Sequence, residues 1–176
     1  MVKPVVTIDG GGFADLQGFF DQFQQGALLE AAWGRSLDAF NDVLRGGFGT
    51  QTGGFVLLWR HHALSRHRLG QAETARQLRR MLATCHPQKR VSIARDLSLA
   101  LSNKGSTAYD WLLDSIRGHD PEGAESADGV ELRLHTAAAD IGSRAEFFIF
   151  CLRGTPEHCK PDAQTRALGA ANVNSR

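Results

Sequence analysis

Apolar positions along the chain fall into two alternating periods. Val5, Val6 and Ile8 are β-branched and run into Asp9-Gly10-Gly11-Gly12, the pattern of a strand closed by a turn. Phe13, Leu16, Phe19, Phe20 and Phe23 then recur at helical spacing, with Gly26 as the stop. A connection from Leu28 to Gly34 contains Trp33. Ser36 stands where it can cap a short helix whose Leu37, Phe40 and Leu44 face inward, and Gly46-Gly47 ends it. Phe55-Val56-Leu57-Leu58-Trp59, bounded by Gly53-Gly54, is wholly apolar, as a strand buried on both faces of a parallel sheet requires.

The middle of the chain predicts two further helices separated by His86-Pro87. Ala72, Ala75, Leu78, Met81 and Leu82 form a narrow apolar stripe in the first, and Ile93, Leu97, Ala100 and Leu101 in the second, which runs from Val91 to Leu101. Thr107 caps another helix, with Asp110 three residues on as a short capping box, Trp111, Leu112 and Ile116 inward and Gly118 at the end. An acidic loop from His119 to Gly129 leads to Val130-Glu131-Leu132-Arg133-Leu134, whose strict alternation predicts a strand. Glu146 to Leu152 is a further strand or a docking segment, and the polar stretch from Arg153, with Pro156 and Pro161, is expected to be mobile. Strands separated by helices imply an α/β fold with a parallel sheet and right-handed crossovers.

At 176 residues and 42% hydrophobic, the chain suffices for one domain with appendages. Its formal charge of +1 conceals a division. Residues 60–104 hold ten Lys or Arg and only Glu73 and Asp96 as acids, whereas acids outnumber bases on both sides. The longest apolar run, Phe147 to Leu152, is far short of the roughly 20 residues a membrane span needs. Met1 leads straight into the first strand without a basic and then apolar leader, and Cys85, Cys151 and Cys159 suggest no disulfide framework; both point to the cytoplasm.

The segment Trp33-Gly34-Arg35-Ser36-Leu37-Asp38-Ala39-Phe40-Asn41-Asp42-Val43-Leu44-Arg45-Gly46 resembles the barstar family, cytoplasmic inhibitors of barnase-type ribonucleases. The match comes in order with a strand, turn and helix before it, the strand ending in Trp59-Arg60 after it, and a closing helix and strand at Tyr109 to Leu134. It covers residues 1–68 and 107–135. The resemblance implies a barstar-like domain at 1–135 with a three-stranded parallel sheet, a basic helical insertion at about 69–106, and an extension at 136–176 that is partly flexible.

On a helix, positions 38, 41, 42 and 45 share one face, which presents Asp38, Asn41, Asp42 and Arg45 together. Asp38 and Asp42 are like charges one turn apart, at a cost of a few tenths of a kcal/mol in an isolated helix. Carboxylates on a rigid helix can stand in for phosphates in a cationic nuclease site. By position, the resemblance implies that Asp38 and Asp42 are contact residues, Gly46 the helix-end glycine and Trp33-Gly34 the aromatic pair leading in. Ala32, Asn41 and Gly47 stand where the family's founding member carries aromatics, which implies a kept scaffold and an altered target.

The expected partner is therefore a ribonuclease or related toxin, with the chain as its inhibitor or immunity protein. The alternative is a nucleic-acid-associated regulator using the basic residues of the middle, Arg76, Arg79 and Arg80 among them. Scarce aromatics after Trp59 count against that reading, as does the simpler arrangement of a basic hairpin packed on the acidic domain. His61, His62 and His67 fit no common ligand spacing, nor do Cys151, His158 and Cys159, so no metal is expected. Gly10-Gly11-Gly12 lacks the continuation of a phosphate loop, and neither a GxSxG elbow nor a Cys-His pair indicates an enzyme. No cofactor is expected.

Overall fold

Three five-residue strands, β1 (Val5–Asp9), β2 (Val56–Arg60) and β3 (Glu131–His135), form one parallel sheet in the order β1-β2-β3. Val5 lies opposite Val56, and Val56 opposite Glu131. This computed structural model describes residues 2–27, 32–46, 50 and 53–136. All of them belong to the compact unit Met1–Asp140. The segment from Glu146 to Leu152, with Cys151, and the tail carrying His158 and Cys159 lie outside the described residues, as does Gly47.

Parallel neighbours need crossovers, and helices supply them. Between β1 and β2 run α1 (Leu16–Ala27) and α2 (Leu37–Leu44). Between β2 and β3 run α3 (His62–Arg68), α4 (Gln71–Thr84), α5 (Arg90–Leu101) and α6 (Ala108–Gly118). The core is aromatic. Phe19 sits 5.0 Å from Trp59, 5.6 Å from Phe40 and 5.8 Å from Phe13, ring centre to ring centre, so α1 welds β2 to α2. Val6, Ile8, Leu57 and Trp59 point into this layer with Leu112 and Ile116 of α6. Each such side chain contributes about 1.5–3 kcal/mol by leaving water.

Alternation along β3 predicts Val130, Leu132 and Leu134 facing inward. Val130 is buried and Leu132 half-buried, but Leu134 is 38% exposed. As the outer strand beside β2, β3 loses its cover toward its end. Two glycines set its approach: Gly54 (φ +80°) passes so close to Gly129 that a Cβ on Gly54 would lie 2.0 Å from the Gly129 carbonyl oxygen. Only glycine fits there.

α4 and α5 form a hairpin turned by a 3₁₀ segment, Pro87–Lys89. A second, small core of Ala75, Leu78, Ile93 and Ala100 holds it together, with Leu82, Leu97 and Trp111 packed alongside. Trp111, half-buried, packs against both this cluster and the main core and so joins the two. Ala72, Met81 and Leu101, expected in the apolar stripes, are exposed, while Glu73 and Thr74 are buried. The reason is local: the first turn of α4 lies against α1 and α6, where Glu73 Oε1 accepts from Leu16 N at 3.0 Å and Thr74 Oγ1 from Ala108 N at 2.8 Å. α6 begins with the expected capping box between Thr107 and Asp110. Among the described residues no helix is long and apolar enough to cross a membrane.

Candidate functional site

α2 is fixed on three sides. Ser36 caps it, its Oγ accepting from Ala39 N at 3.2 Å. Phe40, Val43 and Leu44 are buried in the main core, with Phe40 edge-on to Phe23 of α1 at 4.9 Å. Gly46, at φ +94°, takes the left-handed turn that ends the helix, a conformation glycine adopts without steric cost.

The outer face therefore carries the residues the spacing selects. Asp38 and Asp42 are exposed, and so is Arg45; Asn41 is half-buried. Asp38 makes no ion pair or hydrogen bond among the described residues, and its place in the first turn puts it at the helix's positive end. Asp42 Oδ1 accepts from Arg45 Nη1 at 3.2 Å. That contact, rather than distance, offsets the like charge one turn away.

Arg45 is held mainly by Glu125. Two bonds of 2.7 Å join Nε to Oε2 and Nη2 to Oε1. The Arg45 guanidinium keeps the Glu125 carboxyl below the usual carboxylate range, and Glu125 raises the guanidinium's own affinity for its proton. Beneath this pair lies His119, 1% exposed, with Nδ1 at 2.7 Å from Asp128 Oδ2 and 3.4 Å from Glu125 Oε2, and Nε2 at 3.0 Å from Asn41 Oδ1. The loop after α6 is thereby clamped to α2, and its acids are added to the α2 face. Sequence reasoning missed His119, Glu125 and Asp128. Their only signal was a histidine opening an acidic loop directly after the helix-ending Gly118.

His119, Glu125 and Asp128 also form the one group among the described residues whose ligand atoms lie close enough to share a cation. Both Glu125 oxygens are already on Arg45 and the Asp128 oxygen is on His119, so the arrangement is a closed hydrogen-bonded network.

The remaining predicted residues are divided between surface and core. Gly34 is exposed beside Ala39, and a Cβ there would lie 3.3 Å from that of Ala39. Trp33 is half-buried, edge-on to Phe20 at 5.2 Å, with its buried Nε1 unpartnered among the described residues. It anchors the α2 approach. Arg35 reaches back to α1, 2.8 Å from Asp21 and hydrogen-bonded to Gln24, so it leaves the acidic face undiluted.

At the carboxyl end of the sheet, His61 Nδ1 lies 2.7 Å from Asp9 Oδ1. His62 is committed through both nitrogens, to Tyr109 Oη at 3.0 Å and Thr136 Oγ1 at 2.9 Å. The amides of Gly10, Gly11 and Gly12 bond to Arg60 O, Asp9 Oδ1 and Asp9 O, which makes the glycine run an internal turn.

A family model described as Barstar (barnase inhibitor) matches residues 3–97, more than half of the chain. This chain belongs to the barstar family. No curated protein matches it by sequence. The barstar match begins just before β1 and ends within α5, so it runs well into the stretch 69–106 expected to be an insertion. The fold around it is the three-stranded parallel α/β arrangement that the resemblance implied.

Proposed function

We propose that this barstar-family protein is an immunity protein that blocks a ribonuclease or related toxin, in the cytoplasm, by presenting the outer face of α2 to the partner's phosphate-binding site. The observation that carries this reading is Asp38: an exposed carboxylate without a cation partner among the described residues, on a helix whose cap, buried face and clamped end leave it no freedom to collapse. A carboxylate held this way loses little entropy on meeting an Arg or Lys, and charge-assisted bonds to such cations are roughly twice as strong as neutral ones. Asp42 stands beside it, half-offset by Arg45, and can exchange that contact for a partner's cation. Asn41 serves as the tie to His119 rather than as a contact. Gly34 and Gly46 leave room at the two ends of the helix, and Trp33 holds the approach.

The partner on this reading presents arginine, lysine or histidine in a concave site, and association is steered by charge and weakened by salt. The test is titration of barnase-type ribonucleases with the wild-type chain and with Asp38→Ala and Asp42→Ala, following RNA cleavage.

A further inference from the structure

The positive charge of α3 and of the α4–α5 hairpin falls into two parts. Near the domain, Arg76 pairs with Asp15 at 2.9 Å and Glu73 at 2.6 Å, Arg68 donates to the carbonyls of Gly10, Gly11 and Phe13, and Arg66 lies 5.2 Å over the Tyr109 ring. These cations are spent on the fold. Toward the turn, Arg79, Lys89, Arg90 and Arg95 are all exposed and make no side-chain ion pair or hydrogen bond among the described residues. Arg80, also exposed, feels only the field of Asp15. The nearest acid in sequence is Asp96, and neither the last turns of α4 nor the 3₁₀ turn contains another. At 1.5 Å rise per residue, these side chains sit within the last two turns of α4, the 3₁₀ turn and the first two turns of α5.

We infer that the turn end of this hairpin is a binding surface for the phosphate backbone of a nucleic acid. Three observations favour that partner. The base of the hairpin is locked to the domain by Glu73, Thr74 and Arg76, so the cations are held out on a preformed arm. The exposed apolar side chains of α5, Val91, Leu99 and Leu101, do not separate from the cations: at 100° per residue Arg95 lies between Val91 and Leu99, and Arg90 beside Leu101. A membrane-surface helix needs those faces apart. The turn end also lacks the aromatic anchors that dominate protein interfaces, whereas phosphate contacts require cations alone and stack no bases. The surface reads charge and not sequence. This inference stands independently of the inhibitory role of α2.

The experiment is fluorescence anisotropy of the full chain with a labelled single-stranded RNA of about 20 nucleotides and with a DNA duplex of like length. Four contacts on single strands give a slope of log K against log salt near −3, so affinity for the RNA should fall about 50-fold between about 50 and 200 mM salt. Arg79→Gln/Arg90→Gln/Arg95→Gln should lose at least tenfold in affinity at the lower salt and flatten the slope by about 2, with an unchanged far-ultraviolet spectrum. Arg133→Gln, on β3, should bind as the wild type does. The inference is overturned by absence of binding at the lower salt, by equal losses in the triple and Arg133 variants, by polyglutamate competing as well as RNA of equal charge, or by vesicles rich in phosphatidylserine binding where RNA does not.

Discussion

Arg45 and Glu125 lie 80 residues apart in the chain and meet in a two-bond ion pair, 2.7 Å at each bond. Glu125 itself stands over the buried His119, and His119 holds Asn41 on the same helix as Arg45. A short helix and a loop that could each move are thus made into one surface. The pair is exposed, so its weight falls on charge and position more than on stability.

Arg45→Ala removes the only cation on the α2 face among the described residues. Asp42 then loses its cation and Glu125 keeps only His119, 3.4 Å away, among the described residues, so the local potential becomes more negative. Association with a basic nuclease should be several-fold faster at low salt, with the gain vanishing as salt rises. Stopped-flow mixing at two ionic strengths checks this, and the urea midpoint should hardly move.

Glu73 is where the hairpin is attached. Its carboxylate is 6% exposed and receives Leu16 N, Gln77 Nε2 and two donors of Arg76. Burial pushes its pKa up, but the bonds from Arg76, Gln77 and the Leu16 amide more than reverse this, and it stays below the usual carboxylate range. Glu73→Ala leaves the Leu16 amide and Arg76 without this partner, at a cost of about 2 kcal/mol or more in urea denaturation. Glu73→Gln, which keeps an oxygen for Leu16, should lose less.

His62 gives the fold a pH dependence above the carboxylate range. Burial, reinforced by the Arg66 charge, lowers its pKa from the ordinary 6.5. Below about pH 6.5 the unfolded chain therefore takes up a proton that the folded chain still refuses, and stability falls as pH falls, until the folded-state pKa is passed. Asp9, held low by its hydrogen bonds from His61 and the Gly11 amide, Asp15, held low by Arg76, and Glu131, held low by Lys3, add a second loss as they protonate in acid. Urea midpoints from about pH 8 down to pH 5 should decline, and His62→Gln should remove most of that slope.

Much of this was legible because it is local. The Ser36 cap, the Thr107–Asp110 capping box and the shared face of positions 38, 41, 42 and 45 all depend on neighbours within one or two turns. What stayed hidden depends on distant partners. His62–Arg68 has no apolar period, and α3 is placed by Ser65 Oγ accepting from the buried Trp59 Nε1 at 2.9 Å and by Arg68 bonding carbonyls of the β1–α1 turn. The His119 network pairs residues 78 and 80 apart, a relation no spacing rule reaches. Trp33 shows a third case: the motif containing it was legible, but its direction was not, since Phe20 and Phe23 of α1 draw the ring inward.

On the proposed function, Asp38 carries binding to a ribonuclease. The most direct test of that role is inhibition of RNA cleavage across a panel of barnase-type ribonucleases by the wild-type chain, Asp38→Ala and Asp42→Ala. At least one enzyme should be inhibited, Asp38→Ala should weaken inhibition by about 2 kcal/mol or more, roughly 30-fold, and Asp42→Ala should weaken it less because Arg45 already shares that charge. Inhibition that survives both substitutions unchanged, or a panel in which no enzyme is bound, would contradict that role.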